Sequence, residues 1–368
     1  GLLDHEGKNE IDISKTIPNN TEIYNYLSAR LPMVRLEHDR TPLMQSILEK
    51  KTASLERNQL TMMLHSQKKL RDDRGRTALM YCVEYGNLDV FERLRDVELY
   101  SRTFENTTTL MECAKQPLTS ENAETLIPMV KRLLCESQMT DRDGNTALIY
   151  AVRAGSAKLI RILASREAGI QNHYGDTALL LALRNSRLNF CVQHLFERER
   201  GIRTLSGLSP FMVACQVGNE AVAQQLFDPS LLGELDETGN TALIHASHHC
   251  MDRVIPYLID AECGTVSRNQ QCPTALLAYI MAHGQNTGII QKLCAKEGTI
   301  PSVYGTPFQL ALKHRCIAAL SALQDVIKET FDWKTGNTPL MDAVVARDLS
   351  AIRLLEPCLA TVKNKKSG

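Results

Sequence analysis

The sequence predicts an all-α solenoid, a stack of short helix-turn-helix repeats, and three observations lead to that prediction. A frame seen most clearly in DRDGNTALIYAVRAG, at 141–155, returns along most of the chain. Its copies follow one another at intervals of about 32 residues. In each copy, small and apolar residues stand at the positions that would be buried between two packed helices.

Composition limits the classes of protein to which the chain can belong. Its 368 residues include 42 Lys plus Arg and 42 Asp plus Glu, so no net charge draws it to nucleic acid or anionic lipid. Hydrophobic residues make up 43% and charged residues 23%, which is typical of a folded protein. No apolar run approaches the roughly 18 residues of a membrane span. We therefore expect neither a membrane nor a nucleic acid as a direct ligand.

Each repeat is aligned on one hydroxyl residue, which we call the anchor. The anchors are Thr41, Thr77, Thr108, Thr146, Thr177, Ser209, Thr241, Thr274, Thr306 and Thr338. The intervals that end at Thr77 and Thr146 are longer than the others, at 36 and 38 residues. The spacing predicts about ten repeats.

The start of each repeat predicts a tight turn followed by a capped helix. Glycines stand two residues before the anchor at Gly75, Gly144, Gly175, Gly207, Gly239 and Gly336. A turn with positive φ favours glycine at that position. The anchor hydroxyl can accept a hydrogen bond from the first helical turn, and the Ala or Pro that follows it suits the first position of a helix.

The rest of the repeat predicts two helices packed closely together. Small residues stand five positions after the anchor at Ser46, Cys82, Cys113, Ala151, Ala182, Ala214, Ala246, Ala311 and Ala343. A Gly nine positions after the anchor, at Gly86, Gly155 and Gly218, can end the first helix in the left-handed conformation. Apolar residues at helical spacing, such as Leu159 and Leu163, then predict a second helix. One repeat cannot bury its apolar face alone, so neighbouring repeats must stack.

This pattern resembles the ankyrin repeat, whose signature is T-P-L-H-x-A in a unit of about 33 residues. The resemblance covers residues 36–368, although the His of the signature is replaced here, for example by Met80 and Ile149. The TALM form is similar to the ankyrin-rich proteins that are expanded in some protists. The resemblance implies an ankyrin-repeat solenoid, curved, with a concave groove.

Organisation along the chain follows from the same alignment. Residues 1–35 are predicted to be an N-terminal segment with a capping helix that carries Ile23, Leu27 and Leu31 on one face, and residues 36–368 to be the repeat array. Irregular repeats are expected near 41–71, 103–140 and 269–300. In the second of these, the second helix should begin late and bend at Pro128. In the third, Cys272 replaces the turn glycine and the small residue, Ala278, comes one position early.

Motifs for catalysis do not occur in the sequence: it contains no GxxxxGK[ST], GxGxxG, HExxH or GxSxG. We therefore expect no enzyme and no cofactor. One cluster, HASHHC, has metal-ligand chemistry, with His245 and His249 four residues apart and Cys250 adjacent. Because zinc sites usually take ligands from separated segments, we interpret the cluster as surface residues and predict no metal site.

The resemblance also implies where a partner would bind. In ankyrin proteins the contacts come from the turn residues beside the Gly and from the end of the first helix. Carried over to this chain, these positions are Arg74, Arg76, Glu84, Tyr85, Arg142, Asn145, Arg153, His173, Tyr174, Asp176, Arg184, Asn185, Gln216, His248 and His249. Arg and Tyr are frequent in interface hot spots. The alternative is that these charges only keep a concave face soluble.

We therefore predict a non-catalytic scaffold or adaptor that binds a protein partner, not a small-molecule substrate, through its turns and first helices. Two alternatives remain at this point: the regulatory arm of a longer enzyme such as a kinase, or a structural component of a cytoskeletal or ribonucleoprotein assembly. The eleven cysteines are scattered, and Cys82 and Cys113 stand where other repeats carry Ala. This usage indicates buried thiols and a cytoplasmic protein.

Overall fold

The computed structural model describes residues 36–55, 57–323 and 338–345, together with residues 347, 349, 352, 353, 355 and 356. The predicted capping helix in residues 1–35 and the turn glycine Gly336 lie outside the described residues. The α-helices are α1 (Pro42–Leu48), α2 (Arg57–Ser66), α3 (Ala78–Tyr85), α4 (Leu88–Glu98), α5 (Thr109–Lys115), α6 (Ala123–Arg132), α7 (Ala147–Arg153), α8 (Ala157–Glu167), α9 (Ala178–Leu183), α10 (Asn189–Glu199), α11 (Pro210–Val217), α12 (Glu220–Leu226), α13 (Ala242–His248), α14 (Ile255–Glu262), α15 (Ala275–Met281), α16 (Thr287–Glu297), α17 (Pro307–Lys313), α18 (Ile317–Ala322) and α19 (Pro339–Val345). Short 3-10 helices lie at Glu37–Asp39, Thr52–Ser54, Leu134–Glu136, Ser186–Leu188 and Pro229–Leu231. The predicted all-α class is confirmed.

The chain divides into two compact bodies, and each is described by itself. The first body comprises residues 1–182 and 190–199, and the second comprises residues 183–189 and 200–368. In the first body, α1, α3, α5 and α7 pack side by side in that order, and in the second, α11, α13, α15 and α17 do the same. Second helices pack on the first helix of their own repeat, as α4 does on α3 and α14 does on α13. Each body is therefore a stack in which a repeat is stabilised by its neighbours. None of the described helices is long and apolar enough to cross a bilayer.

The core runs along the first helices. Leucines two residues after the anchor are fully buried at Leu43, Leu79, Leu110, Leu148, Leu179, Leu243 and Leu276. The predicted small residues are buried as well: Cys82, Cys113, Ala151, Ala182, Ala214, Ala246 and Ala311 expose no surface. Each buried Leu side chain contributes about 1.5–3 kcal/mol relative to an exposed one.

The anchor hydroxyls cap the first helices, as predicted. Oγ1 of Thr146 accepts a hydrogen bond from the backbone N–H of Ile149 at 3.4 Å, and Oγ of Ser209 accepts from Met212 in the same way. Thr77 departs from the rule, because its side chain makes no cap hydrogen bond.

Two of the methionines that replace the His of the ankyrin signature take part in the same caps. The backbone N–H of Thr41 donates to the thioether of Met44 at 3.5 Å, and that of Thr108 donates to Met111 at the same distance. Both methionines are almost completely buried. Met in this position thus combines an apolar core side chain with a weak acceptor for the cap.

Most first helices end at a residue with positive φ, nine positions after the anchor. Gly86, Gly155 and Gly218 adopt φ of 73°, 70° and 76°, which confirms the prediction from their spacing. Other residues take the same conformation at the same position in five further repeats: Lys50, Cys250, His283, Arg315 and Arg347. The repeats at Thr108 and Thr177 carry Pro117 and Ser186 at this position, and neither residue has positive φ. Left-handed backbone is disfavoured for these residues, so the repeat geometry imposes it.

Turns that precede the first helices are closed by an Asp or Asn three residues before the Gly. The carboxylate of Asp141 accepts hydrogen bonds from the backbone N–H groups of Asp143 at 2.9 Å and Asn145 at 2.8 Å. Asp72 and Asn172 bind their own turns in the same pattern. Such side-chain to backbone bonds favour tight turns.

Within each body, backbone hydrogen bonds join consecutive turns. In the first body, the N–H of Phe104 donates to Arg74 at 3.1 Å, that of Arg142 donates to Glu105 at 3.2 Å, and that of His173 donates to Asp143 at 2.9 Å. In the second body, the donor and acceptor pairs are Glu237 and Ser206, Arg268 and Thr238, and Val303 and Gln270. This ladder fixes the spacing between consecutive turns.

The hydrogen-bond ladder and the positive φ together explain why glycine occupies these turn positions. Gly144 has a φ of 80°, and a Cβ on it would lie 2.9 Å from the backbone nitrogen of His173 in the neighbouring turn. A Cβ on Gly75 would lie 2.7 Å from the backbone nitrogen of Phe104. Glycine is therefore required both by the positive φ and by the close approach of the next turn.

Buried glutamates connect consecutive repeats, and sequence reasoning did not find them. They lie five residues before the turn Asp, Asn, Ser or Thr, and we call them the clasp glutamates: Glu98, Glu136, Glu167, Glu199, Glu262 and Glu297. One oxygen accepts from the N–H two residues after the repeat's own anchor, as Glu167 does from Leu148 at 2.6 Å. The other accepts from an N–H at the end of the preceding repeat, as Glu167 does from Gln138 at 3.2 Å. Each side chain is at most 2% exposed.

Two repeats depart from this clasp. In the repeat at Thr41 a buried glutamine, Gln67, takes the place of the glutamate, and its side-chain oxygen accepts from the N–H of Leu43 at 2.8 Å. In the repeat at Ser209 the equivalent residue is Leu231, which has no acceptor to offer. The second helix of that repeat, α12, is also short, with seven residues.

The irregular repeats differ from the frame in specific ways. In the repeat at Thr108, α6 begins late, at Ala123, as predicted, and it continues through Pro128 to Arg132. In the repeat at Thr274, Tyr279 occupies the position of the small residue and is fully buried. A Cβ on Gly284 would clash with the Tyr279 ring, so Gly284 makes room for it.

Candidate functional site

The turn tips of the first body present exposed side chains on a fixed backbone. Arg74, Arg142, His173 and Tyr174 are all exposed, with 62% of the Tyr174 surface accessible. The turns that carry them are closed by Asp72, Asp141 and Asn172 and are joined by the backbone ladder. These four side chains therefore project from a scaffold that is ordered without a partner.

Arg76 belongs to a polar network beside the first of these turns. Its guanidinium lies 2.9 Å from Asp72 and 2.9 Å from Glu84, and it donates to the hydroxyl of Tyr81 at 2.8 Å. The guanidinium also lies 4.5 Å from the centre of the Tyr81 ring. Burial alone would raise the pKa of Asp72, but the hydrogen bonds from Arg76 and Tyr81 hold it below its ordinary value. Arg76 therefore contacts Asp72, Tyr81 and Glu84 at once, and its ion pair with Glu84 holds that carboxylate in place at the edge of the surface.

Tyr85 ends α3 next to this network. Its ring stacks on that of Tyr81, with centres 6.2 Å apart and planes inclined by 16°. The side chain is half-buried. Burial raises the pKa of Tyr85, and the neighbouring Glu84 raises it further. At neutral pH the residue therefore offers a neutral hydroxyl on a rigid ring.

A second network surrounds Tyr150 on α7. The hydroxyl of Tyr150 donates to Asp141 at 2.5 Å. The ammonium of Lys115 lies 4.8 Å from the centre of the Tyr150 ring, and the guanidinium of Arg153 lies 5.7 Å from it. Arg153 is exposed and also donates to Asn145 at 3.3 Å. Lys115 also forms an ion pair with Glu112 at 2.7 Å, so the network places charges of both signs around one aromatic ring.

Two of the carried-over residues are buried in the turns. Asn145 is 1% exposed and lies among Asp141, Arg153 and Asn172, with which it makes hydrogen bonds. Asp176 is 7% exposed. Asn145 therefore holds the turns together, and burial removes both side chains from the exposed surface that the resemblance implied for them.

In the second body the corresponding residues are Arg184, Asn185, Gln216, His248 and His249, and all five are exposed. The side-chain oxygen of Asn185 accepts from the N–H of Arg187 at 3.1 Å. The Nε2 of His249 lies 2.8 Å from the carbonyl oxygen of Gln216. Each body thus carries exposed polar side chains at the ends of its first helices.

Family models match this arrangement. A model of three ankyrin repeats matches residues 110–203, and a model of a single ankyrin repeat matches residues 74–99. The chain contains ankyrin repeats. No curated protein matches the sequence. Ankyrin repeats are generally protein–protein interaction modules.

The repeat at Thr241 contains the HASHHC cluster, and its three candidate ligands contact different groups. The interpretation of the cluster as surface residues is wrong for His245, which is buried because its ring lies on its own repeat's turn, with Nε2 2.9 Å from Asp236. The Nε2 of His249 is within hydrogen-bonding distance of the carbonyl oxygen of Gln216, and the thiol of Cys250 donates to the carbonyl oxygen of Ala282 at 3.3 Å. Across the part of the chain that the structure describes, no group of three or more His, Cys, Asp or Glu could hold a metal ion.

Exposed apolar residues at the turn tips were missed by sequence reasoning. They are Phe104 in the first body, at 55% exposure, and Leu205, Val303 and Tyr304 in the second body, at 67%, 67% and 52%. All stand two to four residues before the anchor of their repeat. The sequence does show apolar residues between the turn Thr or Ser and the anchor. Because side chains at these positions cannot reach the core, their exposure could have been predicted.

A cavity of about 480 Å³ opens beside Tyr85 in the first body. Its lining includes Ile47, Leu88, Lys50 and Asp89, together with Tyr85 itself. The cavity lies where the first helices of two consecutive ankyrin repeats end. A side chain placed there would contact apolar and charged groups at once.

Proposed function

We propose that this chain is a non-catalytic scaffold or adaptor that binds a protein partner through its turn tips and the ends of its first helices. The observation that carries the proposal is the ladder of backbone hydrogen bonds between consecutive turns. It holds exposed side chains such as Arg142 and Tyr174 at fixed separations. A preordered surface loses little conformational entropy when a partner binds.

The chemistry of the surface supports a protein as the ligand. In the first body Arg74, Arg142, Arg153, Tyr85 and Tyr174 provide guanidinium groups and aromatic rings, the groups most common in interface hot spots. Acidic residues lie between them. Such alternation disfavours nucleic acid, which binds uninterrupted basic grooves with exposed aromatic residues.

The proposal includes a place in the cytoplasm. It rests on the scattered cysteines, of which Cys82, Cys113, Cys191 and Cys215 are buried as small core side chains. Burial raises the pKa of the Cys191 thiol to about 12, so the thiol stays protonated and is unreactive at neutral pH. A role as the regulatory arm of a longer enzyme, or within a cytoskeletal or ribonucleoprotein assembly, would use the same surface.

The test is affinity capture from the native cell, followed by mass spectrometry, with three forms of the chain. The wild type is compared with Tyr174→Ala, at an exposed turn tip, and with Lys158→Ala, at an exposed position of the second helix α8. We expect a set of proteins that the wild type and Lys158→Ala capture and that Tyr174→Ala does not. Equal capture by all three forms would contradict the proposed face.

A further inference from the structure

One edge of the second body is rich in histidine. It lies at the ends of α13, α15 and α17, which pack on one another in that order. We call it the histidine edge, and its residues are His248, His249, His283, Lys313, His314 and Arg315. All are exposed except His314, which is half-buried.

Three of the histidines at this edge have defined contacts. The rings of His283 and His314 meet edge to face, with centres 5.2 Å apart and planes inclined by 63°. His249 is held at 2.8 Å from the carbonyl oxygen of Gln216. A Cβ on Gly218 would lie 2.9 Å from Nδ1 of His249, so this glycine leaves room for the ring.

The ion pairs between described residues of the second body are Arg200–Asp228, Arg203–Glu234, His245–Asp236 and Lys292–Asp260, and none of them includes Lys313 or Arg315. Helices α11 and α15 carry no charged residue, and α17 adds only Lys313. The acidic residues of the adjoining segments contact other groups. Asp236 lies within hydrogen-bonding distance of His245. Asp252 accepts hydrogen bonds from the hydroxyl of Tyr279 and from Asn286, and Glu220 accepts one from the N–H of Arg253. The remaining titratable neighbours are the thiols of Cys250 and Cys316, which donate to the carbonyl oxygens of Ala282 and Gly284.

We propose that the histidine edge binds an acidic segment of a protein partner, and that binding becomes tighter as the pH falls below neutrality. The proposal rests on the proposed function and names the chemistry of the partner for the second body. Lys313 and Arg315 supply a permanent positive charge, and the histidines add charge when they are protonated. Charge complementarity of this kind favours an acidic sequence over a neutral one.

The direction of the pH effect follows from the surroundings of the histidines. Burial lowers the pKa of His248, and the neighbouring His245 and His249 lower it further. Burial also lowers the pKa of His314, as do the nearby His283 and Lys313. An acidic segment would counter that repulsion, so its binding and the protonation of these rings should reinforce each other.

The experiment uses the full chain and a fluorescent Asp-rich peptide as the probe, with affinity measured by anisotropy at constant ionic strength. We expect binding at about pH 5.5 to be on the order of tenfold tighter than at about pH 7.5, a range in which histidine titrates and aspartate stays ionised. The variant His283→Gln/His314→Gln should lose most of this gain. The matched control is His65→Gln, at an exposed histidine of the first body.

Three results would overturn the proposal. They are an affinity that does not change with pH, the same gain in the double variant as in the wild type, and tighter binding of an oligonucleotide of equal charge. Thermal unfolding shows whether the double variant is folded. If it is not, His283→Gln alone should still reduce the gain. Capture of a partner that depends on Tyr174, without binding of the peptide, would refute this inference and leave the proposed function intact.

Discussion

Glu167, the last residue of α8, accepts a hydrogen bond of 2.6 Å from the backbone N–H of Leu148, at the start of α7 in the same repeat. Its other oxygen accepts from Gln138, at the end of the preceding repeat. One buried side chain thus satisfies two N–H groups that neither helix can satisfy itself. The same bridge recurs in both bodies, so it is part of the repeat.

Removal of this bridge should destabilise the first body. Glu167→Ala leaves the N–H of Leu148 buried without an acceptor, which costs about 1–3 kcal/mol, whereas the N–H of Gln138 can turn to water. We expect the free energy of unfolding in urea to fall by about 1–3 kcal/mol. Glu197→Ala, at an exposed position of α10, serves as the control and should change it by less than about 0.5 kcal/mol. Similar losses in both variants would show that the bridge contributes nothing specific.

The clasp should also make stability depend on pH in an unusual direction. Burial raises the pKa of Glu167 above its ordinary value, although its backbone hydrogen bonds act in the opposite sense. The folded state therefore binds the proton more tightly than the unfolded state, and this contribution is complete below the unfolded pKa of about 4.3. It is lost as the pH rises through the folded pKa.

The comparison that isolates this effect is between the wild type and Glu167→Gln, which cannot ionise. The advantage of the wild type over the variant should shrink as the pH is raised from about 4 towards 7 in urea unfolding. A difference that grows with pH would mean that the carboxylate is more stable ionised than protonated in its site.

Substitutions at Gly86 and Gly144 distinguish the energetic cost of a left-handed backbone from the cost of a close contact with the next turn. Gly86 has positive φ, and a Cβ there would meet only Thr125 at an ordinary 3.5 Å. Gly86→Ala should therefore cost about 1–2 kcal/mol, the price of left-handed backbone. Gly144→Ala adds a Cβ at 2.9 Å from the backbone of the next turn, so thermal unfolding should show a larger loss. Equal losses would refute the role of the ladder.

The repeat at Ser209 should open more readily than its neighbours in the second body. Leu231 replaces the clasp glutamate, and α12 has seven residues where α16 has eleven. We expect the amide protons of α12 to exchange faster than those of α14 and α16, because local opening follows the density of buried contacts and hydrogen bonds. Exchange in α12 as slow as in α16 would show that the repeat is stable without the clasp.

Much of the fold could be predicted from the sequence because the repeat encodes it locally. Anchor hydroxyls, turn glycines and small residues each act within one or two turns of chain, and their spacing reveals them. The clasp glutamates were missed because Glu is almost never fully buried unless it is paired. Their periodic position, five residues before the turn Asp, was the available signal. Tyr279 and Gly284 could not be paired in advance, since their contact depends on an irregular loop.

The candidate site was only partly predictable for a related reason. The resemblance carries positions over to this chain, but it does not say which way a side chain points. Asn145 and Asp176 occupy contact positions and yet are buried in the turns, whereas Phe104 and Leu205 were passed over and are exposed. Burial depends on the neighbouring turn, which lies about one repeat away along the chain.

The central claim, that the turn tips and helix ends bind a protein partner, is tested most directly by the affinity of the captured partner for Arg153→Ala, Tyr174→Ala and Lys158→Ala. All three side chains are exposed, so thermal stability should stay within about 0.5 kcal/mol of the wild type. We predict that at least one of the first two variants weakens binding by about 2 kcal/mol or more, and that Lys158→Ala does not. Loss of affinity in Lys158→Ala alone would place the interface on the second helices and contradict the account.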